Sequence, residues 1–300
     1  MPVVRRLFPP EVQVRVKALA CQLPKELGLP LSRLSRGDLV REVTRRGIVA
    51  QISGRTLWRW LDEDAIRPWQ HRSWIFPRDK DFESKAARVL DLYQGVWEGQ
   101  ALGANDYVIS ADEKTSIQAR IRLHPTLPPR PEDAMRVEFE YERGGALAYL
   151  AAWDVRRAKI FGRTESTTGI EPFGRLVRQV MEEEPYRNAQ RVFWIVDNGS
   201  SHRGEAAIER LESAYANLRL VHLPVHASWL NQIEIYFSVV QRKVLTPNDF
   251  ASLHEVRQRL LDFQSFYMQI AKPFAWKFTR VDLYNLINGL KTRPSLPLAA

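Results

Sequence analysis

Three acidic residues in this chain stand where carboxylates can share metal ions. Asp112 closes the apolar run YVISAD and Asp197 closes VFWIVD; each run reads as a buried β-strand with its acid at the carboxyl end. In an open α/β sheet the carboxyl ends of neighbouring strands converge on one crevice, where ligands bind. The third acid, Glu234, lies on a helical stretch with an apolar stripe of Leu230, Ile233, Phe237, Val240 and Val244. Beside it runs a polar stripe of Asn231, Glu234, Ser238 and Gln241, so the helix can bury one edge and present Glu234 to the crevice. Hard carboxylate oxygens suit Mg²⁺. With two ions about 3.5 to 4 Å apart, one activates an attacking water or 3′-hydroxyl and the other stabilises the leaving oxygen. Taken singly, each acid also has an ordinary reading as a turn former or a solvated helix residue. Glu113 adjoins Asp112 and points to the other face of the strand, which sets it apart. Asp154, after ALAYLAAW, is a further strand-end acid and a fourth candidate.

The elements that must position these acids follow one another in a clear order. SIQARI alternates, and VEFEY, ALAYLAAWDV and AKIFG continue as strands joined by Gly-containing turns such as ERGGA. PFGRLVRQVMEEEP reads as a helix, VFWIVDN as a buried strand, GEAAIERLESAYA as a helix, LRLVHLPV as a strand and SWLNQIEIYFSVVQRKV as a helix. Hairpin-type strands followed by alternating helix and strand predict an α/β fold, a mixed sheet with helices on its faces. The ribonuclease H-like fold has that order of elements.

The N-terminal part is different in kind. Its 80 residues carry 16 Lys+Arg against 8 Asp+Glu, whereas the remainder carries 28 against 27, so nearly all of the net charge of +9 is N-terminal. A basic module joined to a nearly neutral one predicts that the first part meets a polyanion. PEVQVRVKALA reads as a short helix with Pro at its first turn. SRGDLVREVTRRG reads as a second, with Leu39 and Val43 inward, Arg41, Arg45 and Arg46 outward and Gly47 closing it. SGRTLWRWLDED reads as a third, capped by Ser53, with Leu57, Trp60 and Leu61 buried and Arg55, Thr56, Trp58 and Arg59 outward. A helix, a tight turn and a second helix with basic and hydroxyl residues near its start is the layout of a small all-α helix-turn-helix domain, whose second helix enters the DNA major groove. A three-helix bundle with surface arginines would show the same pattern. The stretch IRPWQHRSWIFPRDKDF, with Arg67 and Arg72, reads as a basic linker able to lie along phosphates. The expected organisation is therefore a helix-turn-helix domain over 1–66, a linker and connecting helix over 67–104, and the α/β domain over 105–300.

Composition narrows the setting. Cys21 is the only cysteine, which excludes an internal disulfide and a zinc site of paired thiolates. No stretch approaches the roughly 18 to 20 apolar residues of a membrane span, and the first residues lack the apolar core of a secretory signal. The expected location is the cytoplasm.

With those residues in view, VISADEKTSIQAR, FWIVDNGSSHRG and HLPVHASWLNQIEIYFSVVQRKVL resemble, in order, three blocks of bacterial insertion-sequence transposases of the mariner superfamily. In that family a DE at a strand end, a DN followed by His, and an LNPIE-like helix carry the catalytic acids. The resemblance covers about residues 50 to 290 and places the acids on Asp112, Asp197 and Glu234, with 36 residues between the last two, close to the family's mid-thirties spacing. Gln232 stands where many relatives have proline. The opening VVRRLFPPEV resembles the linker after a first helix-turn-helix of such proteins, and predicts an N-terminally truncated chain.

The resemblance implies excision and integration of a DNA element. It implies Mg²⁺ or Mn²⁺ as the metal, two ions per active site, and a ribonuclease H-like domain working as a homodimer on double-stranded DNA. The DNA partners would be terminal inverted repeats and target DNA, in the nucleoid of a bacterial cell. Arg55, Thr56, Arg59, Arg67 and Arg72 are the expected DNA contacts. His202 would either touch the scissile phosphate or cap the next helix. His222 and His226 have zinc-like spacing, but Pro224 keeps one helix from presenting both, which favours a structural role. A second class remains open: an inactive DNA-binding remnant or regulator of transposition. A nuclease without strand transfer would use the same acids. An aspartic protease would need a flanking Thr-Gly that neither aspartate has.

Overall fold

The computed structural model describes residues 8–71 and 77–291, arranged in two compact units, Met1–Ile75 and Phe76–Ala300. The first unit is all-α. Helix α1 (Pro10–Ala20) starts with proline at its first turn, α2 (Arg36–Arg45) is capped by the Ser35 hydroxyl and α3 (Gly54–Glu63) by that of Ser53. Val16, Leu19, Leu39, Val43, Leu57, Trp60 and Leu61 are buried together, as their helical spacing requires. Residues 46–53 join α2 to α3. This connection is longer than a tight turn of three or four residues, because Val49 and Ile52 are also drawn into the core. Arg45 and Arg46 both donate to the buried carboxylate of Glu42, which holds that carboxyl down to about 2. They brace α2 and, like Arg41, remain exposed, as the sequence predicts.

In the second unit α4 (Phe82–Tyr93) leads to a hairpin of two short strands, β1 (Val96–Trp97) and β2 (Gln100–Ala101), with Gly95 supplying a φ of +77°. A five-stranded sheet follows. Its strands are β3 (Asp106–Ile121), β4 (Glu142–Asp154), β5 (Lys159–Glu165), β6 (Arg191–Val196) and β7 (Leu218–His222), in the spatial order β5-β4-β3-β6-β7. β3, β6 and β7 pair in parallel, β4 runs against β3, and β5, antiparallel to β4, returns to the direction of the other three. Helices α5 (Ile170–Met181) and α6 (Gly204–Ala214) pack on one face against Ile109, Ala111 and Trp194. α4, α7 (Ile233–Lys243), α8 (Leu253–Met268) and α9 (Arg280–Lys291) cover the other face over Val108, Phe193 and Ile195. Alternate residues of each strand thus enter opposite cores, and each large apolar side chain buried this way contributes about 1.5 to 3 kcal/mol. This is the mixed sheet flanked by helices that the pattern of the sequence predicts.

Several local expectations are corrected. β3 does not stop at its acids but runs on to Ile121, because its antiparallel partner β4 still bonds to it there. VEFEY is not a strand: residues 137–141 are irregular and Phe139 lies in the open. ERGGA is not a turn either. Glu142 and Arg143 pair within β4, and Gly145 takes a φ of +91° beside a shift in the β3–β4 register. Helix α4, expected within the linker segment, packs Phe82, Ala86 and Val89 into the core of the second unit.

Candidate active site

The parallel pair β3–β6 sets the site. Its register is fixed at the amino ends by Asp106, whose carboxylate takes two hydrogen bonds from Arg191, at 3.0 and 2.7 Å, and one from the amide of Gly103 at 2.9 Å. From there the strands run together until Ser110 faces Ile195. β6 then ends, leaving Asp197 just past its carboxyl end and Asp112 two residues beyond the last paired position of β3. β7 is parallel to β6 and ends at His222 beside this edge. The crevice is thus made where parallel pairing stops, even though β3 itself continues.

Glu234 comes from α7, whose start is tied to β3. Asn231, wholly buried, donates to the carbonyl of Ala111 at 3.0 Å and reaches the Asp112 carboxylate at 3.4 Å. Its own carbonyl accepts from the Ser110 hydroxyl, and that hydroxyl accepts from the amide of Ile233 at 2.9 Å. Tyr93 adds a brace from α4, donating to the carbonyl of Leu230 at 2.8 Å. Below these contacts Leu230, Ile233, Phe237, Val240 and Val244 are all buried, as the sequence predicts, while Glu234 is exposed in the first turn.

The three acids differ in environment. Asp112 is buried, and burial together with the charges of Asp197, Glu234 and Glu113 pushes its carboxyl up to about 7. Asp197 is held below the usual carboxylate range, chiefly by its hydrogen bond with His202. Its Oδ1 lies 2.6 Å from His202 Nε2 and accepts from the amide of Gly199 at 2.7 Å. Glu234 is raised by partial desolvation and by Asp197, against the opposing pull of Lys114. Among the described residues no three His, Cys, Asp or Glu groups stand close enough to hold one ion, so the acids act on one another through their fields. Hard oxygen donors in excess of nearby cations are nonetheless a set that divalent metal fits: a 2+ charge would relieve the repulsion that raises Asp112.

His202 is completely buried. Its Nδ1 lies 2.9 Å from the Ser201 hydroxyl, which donates to Glu113 Oε1 at 2.9 Å, and its ring packs on Phe173 with centroids 4.7 Å apart. Of the two expected alternatives the helix cap is not seen, since Arg203 stands at the start of α6 with no side-chain cap bond; the ring is instead turned to Asp197. Glu113 does face away from Asp112, as strand alternation requires, yet it anchors this relay from the other face of the sheet. Asp154 is not part of the site. It accepts from the amides of Arg156 and Arg157, each at 3.0 Å, and from the Tyr186 hydroxyl at 2.7 Å, at the opposite end of the sheet, where β4 closes against Ile109. His222 bonds the carbonyl of His202 at 2.5 Å, and burial lowers its pKa, which agrees with a structural role.

In the first unit, Arg55 and Arg59 are exposed on α3, and Arg67 is exposed beyond it. Thr56 is half-buried, and its hydroxyl lies 2.9 Å from that of Ser53, so it completes the cap. Arg72 lies outside the described residues. Sequence reasoning missed Ser110, Asn231, Ser201 and Glu113 as supports. The only available signal was the polar Asn231 set in an apolar helix start.

Residues 108–257 match the family described as DDE superfamily endonuclease. Among solved structures, the Mos1 mariner paired end complex with Mn is similar at 12% identity, with 96% of this chain and 79% of that chain covered and a TM-score of 0.53. The Mos1 mariner paired end complex with Mg is similar at 13% identity, covering 97% and 80%, with a TM-score of 0.52. No curated protein matches the chain. At these identities the likeness is one of fold, and it agrees with the ribonuclease H-like arrangement of the sheet.

Proposed function

The chain belongs to the DDE superfamily endonucleases, and from that premise we propose that it is a DNA transposase, cutting DNA at element ends and joining the freed 3′-hydroxyl to target DNA. The observation that carries this reading is a buried carboxyl, Asp112, set among other acids: burial first, and then the charges of Asp197 and Glu234, raise it to about 7. Clustered like charge of this kind is the mark of a functional site rather than of a stable core. The solved relatives of this fold are transposase complexes with Mn and with Mg, which supports a divalent metal.

In this reading Asp112, Asp197 and Glu234 would hold two Mg²⁺ or Mn²⁺ ions. Such ions supply Lewis acidity, polarising the scissile phosphate and lowering the pKa of the attacking hydroxyl. Asp112 contributes a carboxylate already desolvated, so little water need be displaced around it. Asp197 is aimed by His202, with Ser201 and Glu113 fixing the ring behind it. Glu234 is set by the tie between Asn231 and Ser110, and Lys114 is the cation that favours its charge. Arg55, Arg59, Arg67 and Arg72 contact duplex DNA in the same proposal, and two copies act together on it.

The test is cleavage and strand joining of plasmid carrying the DNA that flanks the protein's own gene. Metal-dependent nicks and joined products, abolished by each of Asp112→Asn, Asp197→Asn and Glu234→Gln, are expected. Cutting that survives these substitutions would assign the chemistry to other residues. Binding without cutting by the unsubstituted protein would make the chain a DNA-binding regulator instead.

A further inference from the structure

Past its acids β3 keeps going, and its outer half borders a groove of about 1260 Å³ between that strand, residues 137–141 and the loop 245–248 after α7. The groove exceeds the roughly 300 to 1,000 Å³ of sites that enclose small ligands. From Lys114 to Arg120 an extended strand covers about 20 Å, room for several units of a polymer. The near end approaches the carboxylates along β3: Lys114, two residues beyond Asp112, lines the groove, and its charge acts on Glu234. Gln241, on the same stripe of α7 as Glu234, lines it further along.

Three cations line it, Lys114, Arg120 and Arg122, and among the described residues no carboxylate forms an ion pair with any of them. Arg122 is held in place by the backbone carbonyls of Glu138, Arg120 and Asn248, which carry no net charge. Arg120 lies over the Tyr141 ring, 4.7 Å from its centroid. Of the two acids on the groove, Glu138 is occupied by the amide and ring of His124, at 2.9 and 2.8 Å, and Glu140 is the other. Phe139 is 93% exposed and Tyr141 is 39% exposed. An aromatic ring left in water beside fixed, uncompensated cations is the combination that holds an unpaired nucleic-acid strand: phosphates along the cations and a base on the ring.

We propose that this groove binds a single-stranded segment of DNA leading to or from the carboxylates, with Phe139 as its base-stacking platform and Arg120 and Arg122 on its backbone. The assignment of DNA as the ligand rests on the nuclease reading above. A groove closed by another protein would be expected to match its exposed rings with apolar neighbours; here Tyr141 carries two arginines, Arg120 and Arg122, over its ring.

The experiment uses the full chain in EDTA, so that binding is read without chemistry. Fluorescein-labelled (dT)12 is titrated at several KCl concentrations, and a 5-iododeoxyuridine version is photocrosslinked and the attached peptide identified by mass spectrometry. We expect crosslinks within 137–141, binding weakened about tenfold by Phe139→Ala, and a slope of log affinity against log salt reduced by about 0.7 in Arg120→Gln. Both side chains are exposed, so neither variant should lose its fold. The proposal is overturned if (dT)12 is not bound, if both variants bind as the unsubstituted chain does, or if crosslinks fall only elsewhere or join Phe139 to a second copy of the protein. Plasmid cleavage with Mg²⁺ is scored separately. Cleavage with no dependence of strand binding on Phe139 refutes the groove alone, whereas strand binding through Phe139 without cleavage refutes the nuclease reading.

Discussion

His202→Ala is the sharpest perturbation of the proposed chemistry, because it removes a side chain that touches no solvent and reaches the acids through Asp197. The lost contact is the 2.6 Å hydrogen bond to Asp197 Oδ1. A hydrogen bond to a charged group contributes about 1.5 to 3 kcal/mol, and removing an outer partner of a metal-binding carboxylate lowers affinity or activity by roughly 10- to 100-fold. Asp197 would keep only the amide of Gly199 at 2.7 Å, enough to hold one oxygen but not the plane of the carboxylate. The assay is Mn²⁺ binding followed by electron paramagnetic resonance of the free ion, alongside cleavage, with circular dichroism confirming the fold. Both Mn²⁺ affinity and rate should fall at least tenfold. Gly199→Ala offers a second route to the same bond, since a Cβ there would lie 3.0 Å from both Asp197 Oδ1 and His202 Nε2 and push the pair apart. A folded His202→Ala protein whose Mn²⁺ affinity and cleavage rate stay within twofold of the unsubstituted chain would refute the orienting role.

Two further outcomes concern stability. Asp112 has a folded pKa of about 7, above its usual value of 3.8. Folding is therefore most favoured below about pH 4 as far as this group is concerned, and that contribution is lost as pH rises through 7; it amounts to about 4 kcal/mol at most. In EDTA, Asp112→Asn should consequently raise the thermal midpoint at pH 8 and leave it unchanged at pH 4, and equal midpoints at pH 8 would contradict the assigned burial. Asp106→Ala should lower the urea midpoint by an amount corresponding to about 3 kcal/mol, because it strands Arg191 and frees the register of β3 against β6; a loss below 1 kcal/mol would show that the strands keep register without it.

What could be read from the residues alone follows from how far each signal reaches along the chain. Helices α1 and α3 were legible because proline or serine fixes their starts and the apolar residues recur at helical spacing within one short window. The three acids were legible for a similar reason: each is attached to an apolar run or stripe whose burial fixes where the acid must emerge. The extension of β3 to Ile121 was hidden, since it depends on pairing with β4 some 20 to 45 residues later in the sequence. VEFEY alternates like a strand, but no neighbour remains to pair with it, and alternation without a partner does not make a strand.

The supports of the site were hidden for a deeper reason. Ser110 and Asn231 are 121 residues apart, and Ser201 and Glu113 are 88 apart, so neither pair leaves a local trace. Their placement follows from one rule applied twice. Strand alternation sends Asp112 to the face covered by α7 and Glu113 to the face covered by α5 and α6. Each then meets whatever polar group that layer brings: Asn231 on one side, Ser201 on the other. The second contact continues through His202 to Asp197. Adjacent residues of one strand thereby brace the site from opposite faces of the sheet, and a shift of β3 by a single residue would exchange those faces and dismantle both supports at once. That is why the pair of buried Asp106 and half-buried Arg191, six residues upstream of Asp112 and far from any chemistry, belongs to the functional apparatus as much as to the fold.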